Sequence, residues 1–130
     1  VAVWFDAGFT ALEPARAADT RADQPVAYPR VKAQVAAGQT LPVPIAGGFG
    51  LPAGASAVAL NVTATGAGTA GHLRVFPCGA DLPGSSSLNY PARTSVANAV
   101  LTGLGAYGAV CVYASTATDV IVDVNGSFPS

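Results

Sequence analysis

The sequence predicts an all-β fold: an antiparallel β-sandwich, jelly-roll-like or Greek key, built from about eight to ten short strands. Three observations predict it. Apolar residues recur at every second position in several runs, as in strands that bury one face. Glycine and proline separate these runs at a spacing of roughly ten residues. No run has the periodicity of an amphipathic helix, and no fixed repeat indicates a propeller or a solenoid.

The clearest strand covers residues 56–65, S-A-V-A-L-N-V-T-A-T. Its apolar positions, which fall on one face, are Val58, Leu60, Val62 and Ala64. The next run, residues 72–77, alternates in the same way. Because only a short glycine-rich segment separates the two runs, the pattern predicts a hairpin that joins them.

The N-terminal segment, residues 1–10, is an unusually apolar strand pattern for the beginning of a sequence. The predicted assembly residues in it are Val1, Val3, Trp4, Phe5 and Phe9. We expect an extended strand here, followed by a single β-sandwich domain over residues 11–130. The strand could pair within its own sheet, or it could be donated to a neighbouring copy. The sequence leaves both arrangements open.

The remaining elements follow in order. Residues 11–30 are expected to be mainly irregular, because they hold three prolines and much of the charge. Residues 31–35 and 39–45 read as short strands. Pro42 and Pro44 place the second of these at an edge or a bulge, since proline cannot donate to a strand ladder. Further strands are expected over residues 87–90, 94–104, 109–114 and 118–128.

Composition excludes several classes of function. Apolar residues make up 51% of the chain and charged residues 10%, against a typical charged share of about 25%. Six basic residues are scattered along a chain of net charge −1, which argues against nucleic-acid binding. No apolar run is long enough for a transmembrane helix. The sequence contains no methionine and starts with V-A-V-W-F, which favours a processed, secreted chain.

Cys78 and Cys111 are predicted to form one disulfide in an oxidising compartment, with two buried thiols as the alternative. A closed loop of about 30 residues would contribute roughly 3–4 kcal/mol in the chain-entropy model. The cysteines therefore also favour an extracellular or cell-surface location.

The sequence contains no convincing catalytic or metal-binding set, and no cofactor is expected. His72 is the only histidine and lies in an alternating strand. Asp119 and Asp123 are four residues apart on one strand, so about 13 Å separates them, too far for glycoside hydrolysis. Asp19 and Arg21 favour a structural ion pair, and Asp123 is expected to meet Arg21. A ligand site at Asp19-Thr20-Arg21 is the alternative interpretation.

Five motifs together carry a family resemblance: A-R-A-A-D-T-R (15–21), L-P-A-G-A-S-A-V-A-L-N-V-T (51–63), S-L-N-Y (87–90), V-A-N-A-V (96–100) and T-D-V-I-V-D-V-N-G (118–126). In this order they resemble a β-sandwich module common in secreted and cell-surface proteins of actinobacteria and related bacteria. The resemblance covers roughly residues 11–128 and departs at residues 126–128, where the family usually has an aromatic pair. It implies the fold and secretion, and it transfers no catalytic residue.

The sequence favours a non-catalytic extracellular structural protein whose copies assemble into a filament or surface layer, partly by strand addition of the N-terminal segment. Low charge and the apolar N-terminal strand motivate this hypothesis. The alternative is a carbohydrate-binding or adhesion module with a polysaccharide partner. Its candidate residues are Trp4, Phe76, Tyr90, Tyr107, Tyr113, Asn61, Asn89 and Asn98. A hydrolase is the weakest hypothesis.

Overall fold

The computed structural model describes residues 8–129. Eight strands account for most of the ordered backbone, and a short 3₁₀ turn at Ala106–Gly108 lies between the sixth and the seventh. The strands are β1 (Thr10–Asp19), β2 (Thr40–Pro44), β3 (Ala55–Thr65), β4 (Gly71–Pro77), β5 (Leu88–Tyr90), β6 (Val96–Gly103), β7 (Ala109–Ala114) and β8 (Asp119–Pro129).

The strands form two antiparallel sheets of four strands each. Sheet I has the order β1-β8-β3-β6, and sheet II has the order β2-β7-β4-β5. Along the chain, every connection except the one from β4 to β5 crosses from one sheet to the other. This order is that of a jelly roll, so the predicted all-β sandwich is confirmed.

The core lies between the sheets and is built by the period-two alternation of their strands. All four apolar positions of β3 are buried, as is the Val120, Val122 and Val124 face of β8. Sheet II contributes Val43, Leu73, Val75, Val110 and Val112. Valine is therefore the most frequent residue of the core, and its β-branched side chain suits a pleated and packed surface.

The predicted hairpin between β3 and β4 is wrong. β3 lies in the interior of sheet I, where β8 and β6 occupy its two edges. β4 lies in sheet II and pairs with β5 and β7. Alternation identifies a strand with one buried face, but it does not identify the strand's partner.

Two assignments before β3 also differ from the sequence prediction. Residues 10–19 form β1, a strand of ten residues, where mainly irregular chain was expected. Residues 31–35 do not form a strand, since only Val35 makes a β-bridge, with Thr118. Proline favoured irregular chain over a strand for residues 10–19. An edge strand such as β1 nevertheless accepts proline, because the missing N–H can face solvent.

β2 lies at an edge of sheet II, as Pro42 and Pro44 predicted. The predicted disulfide between Cys78 and Cys111 is formed, with 5.0 Å between the Cα atoms. It ties the residue after β4 to the middle of β7, which is the neighbouring strand.

Candidate functional site

The charged residues near the end of β1 form a structural clip. Asp19 is fully buried, and its carboxylate accepts hydrogen bonds from the side chain of Arg21 at 2.8 Å and 3.0 Å and from the backbone N–H of Arg21. Arg16 approaches the same carboxylate at 3.5 Å and forms a closer ion pair with Asp123, at 2.9 Å. The predicted pair Asp19–Arg21 is therefore present, whereas the predicted contact of Arg21 with Asp123 is wrong. Arg16 takes that place because it lies directly opposite Asp123 in the β1–β8 register.

Burial by itself would raise the pKa of Asp19. Hydrogen bonds from Arg21 and the positive charges of Arg21 and Arg16 outweigh that effect and hold the pKa of Asp19 below its ordinary value. Next to it, the buried Thr20 hydroxyl donates to Asp119 at 2.8 Å and accepts from the backbone N–H of Val120 at 2.9 Å. These polar groups are occupied by one another, which favours a structural role over a ligand site.

The candidate catalytic groups are engaged in other contacts. His72 Nε2 accepts a hydrogen bond from Arg74 Nε at 3.2 Å, and the Arg74 guanidinium lies 5.5 Å from the centre of the Tyr113 ring. Asp119 accepts from Thr20, and Asp123 from Arg16. Within residues 8–129, no three histidine, cysteine, aspartate or glutamate side chains are grouped to hold a metal ion.

The aromatic residues proposed for carbohydrate binding differ in exposure and do not form a common surface. Phe76 and Tyr90 are buried, and Tyr113 is half-buried. Tyr107 is fully exposed, and Trp4 lies outside the described residues. The row of exposed rings that such a module needs is therefore not present in the described part of the chain.

The outer edge of β6, which pairs with no further strand within residues 8–129, is the most unusual surface of the described sandwich. Its register with β3 is continuous over eight residue pairs, and the backbone N–H of Leu104 donates to the carbonyl of Ser56 at 2.8 Å just beyond them. Hydrogen-bonded residues alternate along an antiparallel ladder. The backbone groups that point away from β3 therefore belong to Ala97, Ala99, Leu101 and Gly103.

Side chains of β6 itself engage two of these outward backbone groups, but no charge or proline protects the edge. Ala99 donates its N–H to the side chain of Asn98 at 3.1 Å, which agrees with an outward direction, and the Thr102 hydroxyl donates to the carbonyl of Gly103. β6 contains no charged residue and no proline. The Leu101 side chain is 70% exposed. A long, uncharged strand edge of this kind is a ready template for another strand.

The core is also incompletely covered along β6. Val96 and Val100 are half-buried and pack against the core cluster from its margin. A strand added beside β6 would place its inward side chains over these two valines. Both the backbone and the side chains of this edge can therefore accept a further strand.

The other three edges are protected in recognisable ways. β1 contains Glu13, Pro14 and Arg16, and its pairing with β8 has two register shifts. β2 contains two prolines, and β5 has only three residues before Pro91. Charges, prolines, bulges and short length all discourage pairing with another chain.

Phe9 marks the place where the N-terminal segment joins sheet I. Its ring packs against Phe128, with 5.2 Å between the centroids. It also covers Gly126, where a Cβ atom would lie 2.3 Å from the Phe9 ring. Phe9 remains 43% exposed. The other predicted assembly residues, Val1, Val3, Trp4 and Phe5, lie outside the described residues.

Two adjoining cavities lie at the same end of the sandwich as Phe9. The larger has a volume of about 300 Å³ and is lined by residues of the 46–55 loop. The smaller, of about 90 Å³, shares Pro52, Ala53 and Ala55 with it and extends to Thr10 and Phe128. No sequence motif predicts the larger cavity, because glycine and alanine residues form most of its wall.

Comparisons with known proteins add little. No protein-family model matches the chain, and no curated protein matches it. Within the described residues, no helix is both long and apolar enough to cross a membrane. Among solved structures, the chain is similar to the coat protein in a tobacco streak virus coat protein dimer, with a TM-score of 0.45 and 11% identity over 94% of this chain and 86% of that one.

Proposed function

We propose that the chain is a non-catalytic extracellular structural protein whose copies assemble into a filament or surface layer. In this proposal the N-terminal segment of one copy adds as a strand to the β6 edge of the next. The observation that carries it is the β6 edge, which has outward backbone groups and neither charge nor proline. Main-chain hydrogen bonds along such an edge supply affinity, and alternate side chains supply specificity.

The reach of the N-terminal segment favours donation to another copy. Thr10, Ser127, Val58 and Thr102 lie in one row across sheet I. A strand added beyond β6 would lie four strand spacings from β1, or about 19 Å. Covering that distance uses about six residues at ~3.3 Å each. About six of residues 1–8 would then span the sheet, and about two of these eight would reach the chain's own β6.

A neighbouring copy removes this restriction. All eight residues before Phe9 can then lie along the eight residues of β6. With the odd-numbered side chains inward, Val1, Val3 and Phe5 would cover the margin of the core at Val96 and Val100. This donation is a head-to-tail contact, which propagates into a filament when it does not close into a ring.

An extracellular location is part of the proposal. The disulfide between Cys78 and Cys111 supports it, because such bonds persist in oxidising compartments. The resemblance to a module of secreted bacterial proteins supports it as well. The low charged fraction, 10%, suits a protein whose surface is partly covered by other copies.

The first test changes the donor side. The double variant Val3→Asp/Phe5→Asp should remain folded by circular dichroism and lose all filaments on negatively stained grids. Charged residues on the inward face would have to be buried at the core margin, which is costly. Intact polymers in this variant would refute strand donation. A wild-type chain that stays at 12.8 kDa by light scattering would refute assembly and favour the polysaccharide-binding alternative.

The second test changes the acceptor edge with a matched pair of variants. Leu101→Pro removes one outward N–H and should block strand addition, while the β3–β6 ladder keeps its hydrogen bonds. Leu101→Thr changes the side chain and keeps the N–H, so it should still accept a strand. The probe is a labelled peptide of residues 1–9, and binding is measured by fluorescence anisotropy.

In the Val3→Asp/Phe5→Asp background, the peptide should bind the chain with Leu101→Thr and not the chain with Leu101→Pro. Equal binding to both would exclude β6 as the acceptor. Failure of the peptide to bind either chain would exclude the N-terminal segment as the donor.

A further inference from the structure

Tyr107 stands out because it is fully exposed and its backbone is strained. Its φ is 57° and its ψ is 24°, the left-handed region that bulky side chains rarely adopt. Phe49 makes an instructive comparison, since it has a φ of 58° but packs against the core. For Phe49, burial of the ring offsets the strain. For Tyr107, no contact within residues 8–129 buries the ring.

The loop that carries Tyr107 is held in place by its backbone. The N–H of Ala106 donates to the carbonyl of Cys78 at 2.7 Å, and the N–H of Gly105 donates to the carbonyl of Ala109 at 3.0 Å. Gly105 lies so close to Cys78 that a Cβ atom would be 2.1 Å from its carbonyl oxygen. The disulfide therefore anchors a well-defined loop with a strained, solvent-exposed aromatic residue at its tip. Strained residues of this kind are frequently functional.

The larger cavity lies directly beside this loop. The backbone N–H groups of Ile45 and Ala46 both donate to the carbonyl of Gly108, at 3.2 Å and 3.0 Å. At about 300 Å³, the cavity is at the small end of the range for binding sites and is large enough for one aromatic side chain. The loop with the exposed ring and the cavity thus lie next to each other at one end of the sandwich.

The composition of the Tyr107 loop and of the loop that lines the cavity indicates which partner fits. Residues 46–55 and 104–109 contain no charged side chain. A charged partner would find no complementary group on either loop. A sugar would find no side-chain amide, carboxylate or guanidinium there to hydrogen-bond its hydroxyls. A surface with the same uncharged character fits best, and a second copy of the chain presents one.

We propose that Tyr107 is a contact residue between copies of this chain, and that its ring enters the cavity of the 46–55 loop of a second copy. Because the Tyr107 loop and the cavity are neighbours, a twofold axis can place each Tyr107 against the other copy's cavity, as in isologous contacts. This contact rests on the proposed self-assembly, but it is separate from strand donation at β6. In a filament it would join two strand-donated rows side by side.

The test uses the full chain with Val3→Asp/Phe5→Asp, in which strand donation is blocked. Sedimentation equilibrium across a dilution series should show a reversible dimer of this variant. Adding Tyr107→Gly should weaken the dimer by roughly 30-fold, the loss expected for an interface hot spot. The same change should raise the thermal midpoint of the fold, because glycine adopts a positive φ without strain.

That combination of a more stable fold and a weaker dimer separates a contact role from a structural one. Val31→Ser is the matched control, since Val31 is 81% exposed at another site and its loss should leave the dimer unchanged. On the cavity side, Ala53→Glu should weaken the dimer, whereas the exposed Ala70→Glu should not.

A parent variant that is monomeric at every concentration would overturn the proposal, and so would a Tyr107→Gly dimer of unchanged affinity. An Ala53→Glu dimer of unchanged affinity would overturn the placement of the ring in the cavity. None of these results depends on filaments, so failure here is distinguishable from failure of strand donation.

Discussion

The two edge strands of sheet I differ sharply in how they are protected. β1 carries charge, a proline and two register shifts, and the ion pair between Arg16 and Asp123 links it to β8. β6 is regular and uncharged, and it exposes Leu101. Protection against edge-to-edge pairing is therefore local to particular strands in this molecule. Within the described residues, β6 is the edge that lacks such protection, and the proposed strand addition rests on this difference.

The largest expected effect comes from breaking the clip at β1. Asp19→Ala should lower the free energy of unfolding by about 2–3 kcal/mol, because two guanidinium groups and a backbone N–H lose their acceptor. Partial exposure of Arg16 and Arg21 keeps the cost below that of a fully buried pair. Urea unfolding measures it. The exposed Asp23→Ala should change stability by less than about 0.5 kcal/mol, and an equal loss there would contradict the clip.

A smaller effect is expected where the N-terminal segment meets sheet I. Gly126→Ala places a methyl group against the Phe9 ring and 2.8 Å from the carbonyl of Thr10. Overpacking at this site should cost about 1–2 kcal/mol in thermal or urea unfolding. Adding Phe9→Ala should restore part of the loss, since the ring is the nearest obstacle. Gly84→Ala meets no atom within 4 Å and should be neutral. An equal loss of stability in Gly126→Ala and Gly84→Ala would argue against the Phe9 contact.

Acid should weaken the protected edge selectively. The pKa of Asp19 is lower in the folded chain than in the unfolded one. Between the two pKa values the unfolded state binds more protons, so stability decreases as pH is lowered. The stabilisation is complete above about pH 3.9, the ordinary aspartate value, and is lost as pH falls through the lower folded value. Unfolding of wild type and Asp19→Asn across this window should converge at low pH. A constant difference between them would show that the Asp19 charge is not responsible.

The variant Leu101→Lys should have the smallest effect on the free energy of unfolding and should abolish assembly. Leu101→Lys gives β6 a charge of the kind that blunts edge strands, at a side chain that is already exposed. The free energy of unfolding should change by less than about 0.5 kcal/mol, while filaments disappear from stained grids. Val31→Lys, at an exposed position outside the strands, should leave filaments intact. Filaments formed by the Leu101→Lys variant would contradict the proposal that β6, rather than β1, accepts the added strand.

Period-two alternation was sufficient to find most strands of this protein. The buried face of β3 was predicted residue by residue, because its apolar side chains alternate with polar or small ones. β1 was missed because its prolines and charges are features of irregular chain as well as of edge strands. The β3–β4 hairpin was mispredicted because two strands that follow each other in the sequence pair only when a tight turn keeps them in one sheet. Here the connection crosses to the other sheet.

The candidate site was only partly accessible from the sequence. The apolar N-terminal pattern suggested a donor, and the sequence of β6 reads as an ordinary strand. Its lack of protection became meaningful only when the strand order placed it at an edge. Tyr107 gave no local signal either, since exposure and a positive φ at one aromatic residue depend on how the surrounding loop packs.

The position of β8 between β1 and β3 constrains how the molecule folds. β1 has no strand partner in the described structure other than β8, which is the last strand of the chain. Thr10 meets Ser127, so the first pair of sheet I joins residues from opposite ends of the sequence. Such long loop closures place a jelly roll among the slower-folding domains, typically milliseconds to seconds. β1 therefore cannot form this pairing until synthesis has reached β8.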